Sequence, residues 1–226
     1  MSISTNKTWV LNKDIAVIGF DLDQTLYPKS KKIDLAIQSY LYKKISQHLK
    51  ISLAEAQKTF NRLYKDGSGL SGSKIMELLK IPDAKNSIQK ALENANIEKF
   101  LRPNSKAISL LISLKKRYKN LDIITGSNTK ITKKKLYKLN IPTSLFNHII
   151  TSEDSSKSDS QAYKMWMKYY PNLKPKNFLY IGDRVSSDFI IPNSLGINTI
   201  LVNQKDNKRS IKCLQLKSLL NLKMIL

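Results

Sequence analysis

The stretch Ile15-Ala16-Val17-Ile18-Gly19-Phe20-Asp21-Leu22-Asp23-Gln24-Thr25-Leu26-Tyr27 runs from an unbroken apolar segment straight into two carboxylates. Ile15 to Phe20 is short and apolar, the pattern of a strand covered on both faces. With a strand's period of two, Asp21 and Asp23 leave the sheet on the same side. Two carboxylates so close repel each other unless something cationic sits between or beside them. A hard divalent cation such as Mg2+ meets that need, since it takes carboxylate and backbone oxygens and keeps waters for a phosphate. One carboxylate can then act as a nucleophile while the other handles a proton.

Working outward, four more apolar runs read as strands: Leu121 to Ile124, His148 to Ile150, Phe178 to Ile181 and Asn198 to Val202. Helical patterns fill the intervals at Lys106 to Tyr118, Lys130 to Leu139, Gln161 to Tyr169 and Ser187 to Leu195. This alternation predicts an α/β fold, a doubly wound parallel sheet of Rossmann type. One interval breaks the rhythm. About a hundred residues separate the first two strands, far more than a βα connection of ~2–6 residues plus a helix needs. That interval is itself helical. Ile33, Ala36, Ile37, Tyr40, Leu41, Ile45, His48 and Leu49 share a helix face. Ser52 and Glu55 form a capping box for a second helix ending at Gly67. Gly72 to Lys80 and Asp83 to Asn96 read as two more. The expected organisation is a core of residues 1–27 and 102–226 and an all-helical insert of residues 28–101. The insert leaves the first strand at its carboxyl end, where open α/β sheets bind ligands, so it is expected to cover the site.

Three further strand ends carry polar groups. Leu121 to Ile124 runs into Thr125-Gly126-Ser127-Asn128, suited to donating hydrogen bonds to a phosphoryl oxygen. His148 to Ile150 is followed by a polar loop containing Lys157, a fixed positive charge. Phe178 to Ile181 ends in Gly182-Asp183-Arg184-Val185-Ser186-Ser187-Asp188, a second acid pair. Nucleophile, acid, hydroxyl donor, cation and metal carboxylates are together what phosphoryl transfer demands.

These motifs resemble those of the haloacid dehalogenase-like hydrolase superfamily, over essentially the whole chain. The resemblance implies a Rossmann-like core with a helical cap of type C1 and a Mg2+-dependent phosphatase working through an aspartyl-phosphate. It makes Asp21 the nucleophile, Asp23 the general acid/base, Thr125 a phosphoryl-oxygen donor and Lys157 the cation. Gly126, Ser127 and Asn128 would line the substrate. Asp21, Asp183 and the backbone carbonyl of Asp23 would hold Mg2+, with Asp188 bound directly or through water. An Asp at position 23 argues against dehalogenation. The chain departs from the common pattern in having Ser158 after Lys157 where proline is usual, with Lys164 a nearby competitor, and in having Gly126 where many relatives have Asn. The run Asp21 to Ser30, with Tyr64-Lys65-Asp66-Gly67-Ser68-Gly69-Leu70-Ser71-Gly72, is similar to the pyrimidine 5′-nucleotidase branch. The expected substrate is therefore a nucleoside monophosphate or another small phosphorylated metabolite.

Composition sets the alternatives. With 39 basic and 17 acidic residues the net charge is +22, which raises a phosphatase of nucleic-acid ends or a non-catalytic basic binding protein. Only Arg62, Arg102, Arg117, Arg184 and Arg209 are arginines, and phosphate and base readout leans on Arg. The Lys, Asn and Ile bias is also what an AT-rich coding sequence produces, so nucleic acid is not the favoured partner. No apolar run reaches the ~18 residues of a membrane span. The N-terminus lacks the apolar core of a secretory signal and Cys213 is the only cysteine, both consistent with a reducing cytoplasm. His48, Trp166 with its aromatic neighbours, Lys115-Lys116-Arg117 and Lys133-Lys134-Lys135 read as packing residues or solvated helix faces, and Arg184 as either a partner of Asp183 or exposed.

Overall fold

The computed structural model describes residues 14–66, 72–157, 159–204 and 213–226. Among them, six parallel strands form one sheet: β1 (Val17–Phe20), β2 (Asn120–Ile124), β3 (His148–Ile150), β4 (Phe178–Gly182), β5 (Asn198–Leu201) and β6 (Leu214–Gln215). Their order is β3-β2-β1-β4-β5-β6, a doubly wound arrangement whose order reverses between β1 and β4. Phe20 lies beside Ile123 on one side and Ile181 on the other, so β1, β2 and β4 end level with one another. β1 and β4 are buried along their whole length. Their near-continuous apolar runs are what a strand with both faces covered requires.

Two compact units divide at Pro28/Lys29 and again at Leu101/Arg102. The inserted unit carries α1 (Lys31–Leu49), α2 (Leu53–Asp66), α3 (Gly72–Leu78) and α4 (Ser87–Asn94), with short 3-10 turns before and after α4. Helix α1 turns Ile33, Ile37, Leu41, Tyr42 and Ile45 inward. Leu49 and His48, placed on that face by their spacing, are exposed in the last turn. The capping box is present: the Ser52 N–H donates to Glu55 Oε2 at 2.9 Å and the Glu55 N–H to Ser52 Oγ at 3.2 Å. This satisfies two N–H groups that a helix start otherwise leaves open. The glycine-rich stretch Gly67 to Ser71 lies outside the described residues.

In the sheet unit the helices are α5 (Ser105–Tyr118), α6 (Thr129–Lys138), α7 (Gln161–Lys168) and α8 (Ile191–Ser194). Where the sequence predicts one helix from Ser187 to Leu195, the chain instead winds a π-helical turn over Val185–Ile190 before α8. The wider turn is closed by the Ile191 N–H bonding to Ser186 O. Such turns are frequent at functional sites. Strand β6 is two residues long, too short to register as an apolar run.

Helix α7 seals one face of the sheet with Ala162, Tyr163 and Trp166 against Val17, Ile124, Phe178 and Tyr180. The Trp166 ring sits edge-on to Phe178 and Tyr180. Gly19 is required beneath it, because a Cβ there would lie 2.8 Å from the indole and from Ile124. Strand β2 also carries Asp122, fully buried. Its carboxylate accepts hydrogen bonds from Trp166 Nε1 and the Tyr170 hydroxyl, each at 2.8 Å, and from the His148 N–H at 2.8 Å. The His148 ring lies 3.2 Å from the same carboxylate and stacks on Tyr169 at 4.2 Å. This polar knot ties α7 to β2 and β3. Trp166→Phe keeps most of the ring packing but strips one donor from a buried carboxylate, so it should lower stability by about 1–3 kcal/mol, measured by urea unfolding.

Candidate active site

The carboxyl ends of β1, β2 and β4 deliver the polar groups to one place. Beyond β1 the chain makes a single tight turn, with the Thr25 and Leu26 N–H groups both bonding to Leu22 O. Gln24 takes a positive φ of 63° inside it. The turn sets residues four apart over one another. The Thr25 hydroxyl donates to Asp21 Oδ2 at 3.1 Å, and the Tyr27 hydroxyl to Asp23 Oδ1 at 2.5 Å. Leu22 between the two acids is fully buried. Asp21 and Asp23 therefore face different partners.

Asp21 belongs with the acids of β4. One carboxylate oxygen from each of Asp21, Asp183 and Asp188 lies within 4.8 Å of the others, all three residues buried. Lys157 reaches into this group, its Nζ 2.5 Å from Asp21 Oδ1 and 2.7 Å from Asp188 Oδ1. Burial above all pushes the Asp21 carboxyl up to about 7. The repulsion of Asp188, Asp183 and Asp23 adds to this, and the Lys157 ammonium only partly offsets it. Burial also opposes ionisation of Asp188, but the Lys157 ammonium and the Arg184 N–H hold it below the usual carboxylate range. Asp188 Oδ2 accepts from the N–H groups of Asp183 and Arg184 at 3.0 and 2.9 Å. The π turn thus folds Asp188 back onto the strand end. Gly182 makes this possible, since a Cβ there would lie 2.4 Å from Asp188 Cβ, Cγ and Oδ2.

Asp23 has a separate set of partners. Lys135 Nζ donates to Asp23 Oδ1 at 2.6 Å, and the Ser127 hydroxyl to Asp23 Oδ2 at 2.9 Å. Lys135 also donates to Ser127 Oγ at 2.9 Å. Although burial opposes its ionised form, the charge and hydrogen bond of Lys135, with those of Tyr27 and Ser127, hold the Asp23 carboxyl below its usual value.

The residues singled out from sequence fall as follows. Asp21, Asp183, Asp188 and Lys157 converge, and Asp23 lies beside them with Ser127. Thr125 is buried at the end of β2, its hydroxyl oxygen accepting the Ser127 N–H at 3.2 Å. Gly126 is half-buried. Asn128 spends its side-chain oxygen capping α6, accepting from the Ile131 N–H at 2.9 Å. Lys164 is exposed on α7, and the Arg184 side chain is exposed as well. Lys133-Lys134-Lys135 needs correction as a solvated face. Lys133 and Lys134 are exposed, but Lys135 is 1% exposed and paired. The signal was present in the spacing, because Thr132, Lys135, Leu136 and Leu139 share the buried face of α6. A cation in the apolar register of a helix needs a buried partner.

The family model of the haloacid dehalogenase-like hydrolases matches residues 18–202. The chain belongs to that family. It is 30% identical over 192 residues to the glyceraldehyde 3-phosphate phosphatase of Methanocaldococcus jannaschii, covering 82% of this chain and 83% of the relative. The protein of the same name from Pyrococcus abyssi is 28% identical over 193 residues, covering 82% and 80%. Among solved structures, a haloacid dehalogenase-family phosphatase from Thermococcus onnurineus superposes with a TM-score of 0.64 at 20% identity, covering 93% of this chain and 97% of that one. A haloacid dehalogenase-like family hydrolase from Streptococcus pneumoniae gives 0.67 at 17% identity, covering 93% and 98%. These superpositions match the α/β fold with its parallel sheet. No helix among the described residues of this hydrolase is long and apolar enough to cross a membrane.

Gly182→Ala should displace Asp188 from its two N–H donors. An overpacked buried site loses about 1–3 kcal/mol, so the midpoint of thermal unfolding should fall while the helix content seen by circular dichroism is kept.

Proposed function

We propose that this hydrolase is a Mg2+-dependent phosphomonoester phosphatase working through an aspartyl-phosphate on Asp21. The observation that carries the reading is the division of the two β1 acids. Asp21 sits with Asp183, Asp188 and Lys157, while Asp23 is held apart by Lys135, Ser127 and Tyr27. One group is thereby arranged to attack and the other to move protons.

The donor set fits a hard divalent cation. Three buried carboxylates face one ammonium, and oxygen ligands of this kind suit Mg2+. Asp21, Asp183 and the backbone carbonyl of Asp23 would hold it, with Asp188 binding directly or through water. When bound, the ion neutralises charge on the phosphoryl oxygens. The chain's own residues do the rest. The Thr25 hydroxyl holds the Asp21 carboxylate in line. Asp21 attacks phosphorus, and the ester P–O bond breaks with its electron pair passing to the leaving oxygen. Asp23, ionised at rest, takes the proton of the phosphate monoanion and passes it to that oxygen. Thr125 and Lys157 meet the phosphoryl oxygens. In the second half, Asp23 takes a proton from water as the water oxygen bonds to phosphorus. The bond from phosphorus to Asp21 then breaks, its electrons returning to the carboxylate, and Asp23 passes the proton to the released phosphate. The sum is ester plus water to alcohol plus phosphate.

For the substrate, relatives sharing more than four fifths of this chain carry the name glyceraldehyde 3-phosphate phosphatase. That supports a small phosphorylated metabolite, with a three-carbon ester ahead of a nucleoside monophosphate. The nucleotide reading rests on the run Asp21 to Ser30 and on a loop largely outside the described residues. In domain terms, residues 28–101 would be the cap and residues 1–27 with 102–226 the catalytic core.

The test is phosphate release from glyceraldehyde 3-phosphate, glycerol 3-phosphate, UMP, CMP and a 5′-phosphorylated oligonucleotide. Mg2+-dependent turnover of a three-carbon ester is expected, lost on chelation. Asp21→Asn should lower it by roughly a thousandfold or more, and Asp183→Asn should weaken Mg2+ binding measured by calorimetry. Turnover surviving in Asp21→Asn would sink the mechanism. Turnover of UMP or CMP alone would restore the nucleotide reading, and of the oligonucleotide alone would move the substrate to nucleic-acid ends.

A further inference from the structure

Of the three consecutive lysines on α6, Lys133 and Lys134 are exposed and Lys135 is almost fully buried. Taking an ammonium out of water costs several kcal/mol even after relaxation. A helix with two other lysines beside it has no need to bury this one for solubility. What Lys135 gains is a closed three-membered contact. Its Nζ donates to Asp23 Oδ1 at 2.6 Å and to Ser127 Oγ at 2.9 Å, and Ser127 in turn donates to Asp23 Oδ2 at 2.9 Å. One cation thus fixes both oxygens of the carboxylate, one directly and one through a hydroxyl. Tyr27 adds a third donor, on Oδ1 at 2.5 Å.

A carboxylate has about four lone-pair sites. Lys135 and Tyr27 take the two on Oδ1, and Ser127 takes one on Oδ2. The remaining site on Oδ2 is where a proton can be given and received. Lys135 touches neither Asp21 nor the acids of β4 among the described contacts, so its effect passes through Asp23. We propose that Lys135 is a positioning residue that, with Ser127, presents one lone-pair site of Asp23 Oδ2 to the leaving oxygen and then to the attacking water. The inference rests on the phosphatase reading above and adds to it a residue that acts only on proton transfer.

The two half-reactions separate this role from plain stability. With p-nitrophenyl phosphate the departing phenolate is stable without a proton, so phosphorylation of Asp21 needs little from Asp23. Hydrolysis of the aspartyl-phosphate still needs Asp23 to take a proton from water. Rapid mixing of p-nitrophenyl phosphate with the Mg2+-loaded protein reads the first step as a burst of phenolate and the second as the steady rate.

Lys135→Met should lower the steady rate about 100-fold and the burst rate by less than about tenfold. Asp23→Asn should show the same split. The double variant Asp23→Asn/Lys135→Met, which removes both buried charges, should be no slower than Asp23→Asn by more than about threefold. Ser127→Ala gives a milder variant, expected to lower the steady rate about tenfold with the burst less affected, and it keeps the question answerable if Lys135→Met does not fold. Burst and steady rate falling together in the folded variants would overturn the proposal. A double variant slowed by the full Lys135→Met factor beyond Asp23→Asn would do so too. A wild-type protein releasing no phenolate with Mg2+ would instead overturn the phosphatase reading itself.

Discussion

Four carboxylates, those of Asp21, Asp23, Asp183 and Asp188, are buried at the ends of two adjacent strands. Within the same shell lie two largely buried ammonium groups, Lys135 and Lys157. The acids outnumber the ammonium groups, and the imbalance is eased by the Arg184 guanidinium, whose charge is favoured by Asp183, Asp21, Asp188 and Asp23, and by the raised Asp21 carboxyl. Burying even one unbalanced ion costs several kcal/mol, so the surrounding structure is organised around managing this excess. Backbone N–H groups of Asp183 and Arg184 are spent on Asp188. A glycine is placed where any side chain would collide with that carboxylate. The wide turn after β4 exists to bring Asp188 back to the strand end. The remaining imbalance appears in Asp21, whose carboxyl is pushed up to about 7, whereas Asp188 is held below the usual range.

The same constraint explains why two acids one residue apart behave differently. A tight turn after β1 places a hydroxyl four residues beyond each, Thr25 over Asp21 and Tyr27 over Asp23. Beyond that the surroundings diverge. Asp23 is matched by a cation of its own and two hydroxyl donors, and stays below the ordinary carboxylate range. Asp21 shares Lys157 with Asp188 and is pushed up to about 7. A pair of acids with environments driven apart is the arrangement from which distinct chemical roles follow.

Much of this was legible in the chain, and the parts that were not share a cause. Strands β1, β2, β3, β4 and β5 declare themselves because a strand buried on both faces must be apolar at every position. The acids stand out because they follow such runs directly, where only a loop or a site can be. Lys157 was distinguishable from Lys164 by its place in the loop after β3, and the structure puts the first against Asp21 and the second in solvent. Lys135 was hidden because a run of three lysines looks uniformly solvated, and only the register of Thr132, Leu136 and Leu139 reveals which one turns inward. Asp122 was passed over inside an apolar strand for the same reason: its partners, Trp166, Tyr170 and His148, are scattered across the sequence. The π turn after β4 had no periodicity to announce it, since it is shaped by the hydrogen bonds that Asp188 demands.

Charge also links the site to the rest of the molecule. The net charge is +22, yet the site itself carries an excess of carboxylate. A phosphate dianion drawn toward the protein by its overall field would meet repulsion at the last few ångströms. On the proposed reading a divalent cation removes that conflict, because the buried acids outnumber the buried ammonium groups. Lys157 cannot do this alone, being already shared between Asp21 and Asp188. Nor can Lys135, which is committed to Asp23 and Ser127. On that reading, the basic overall charge gathers anions and the acidic centre admits one only with a cation. The two lysines inside are divided, Lys157 between Asp21 and Asp188 and Lys135 between Asp23 and Ser127.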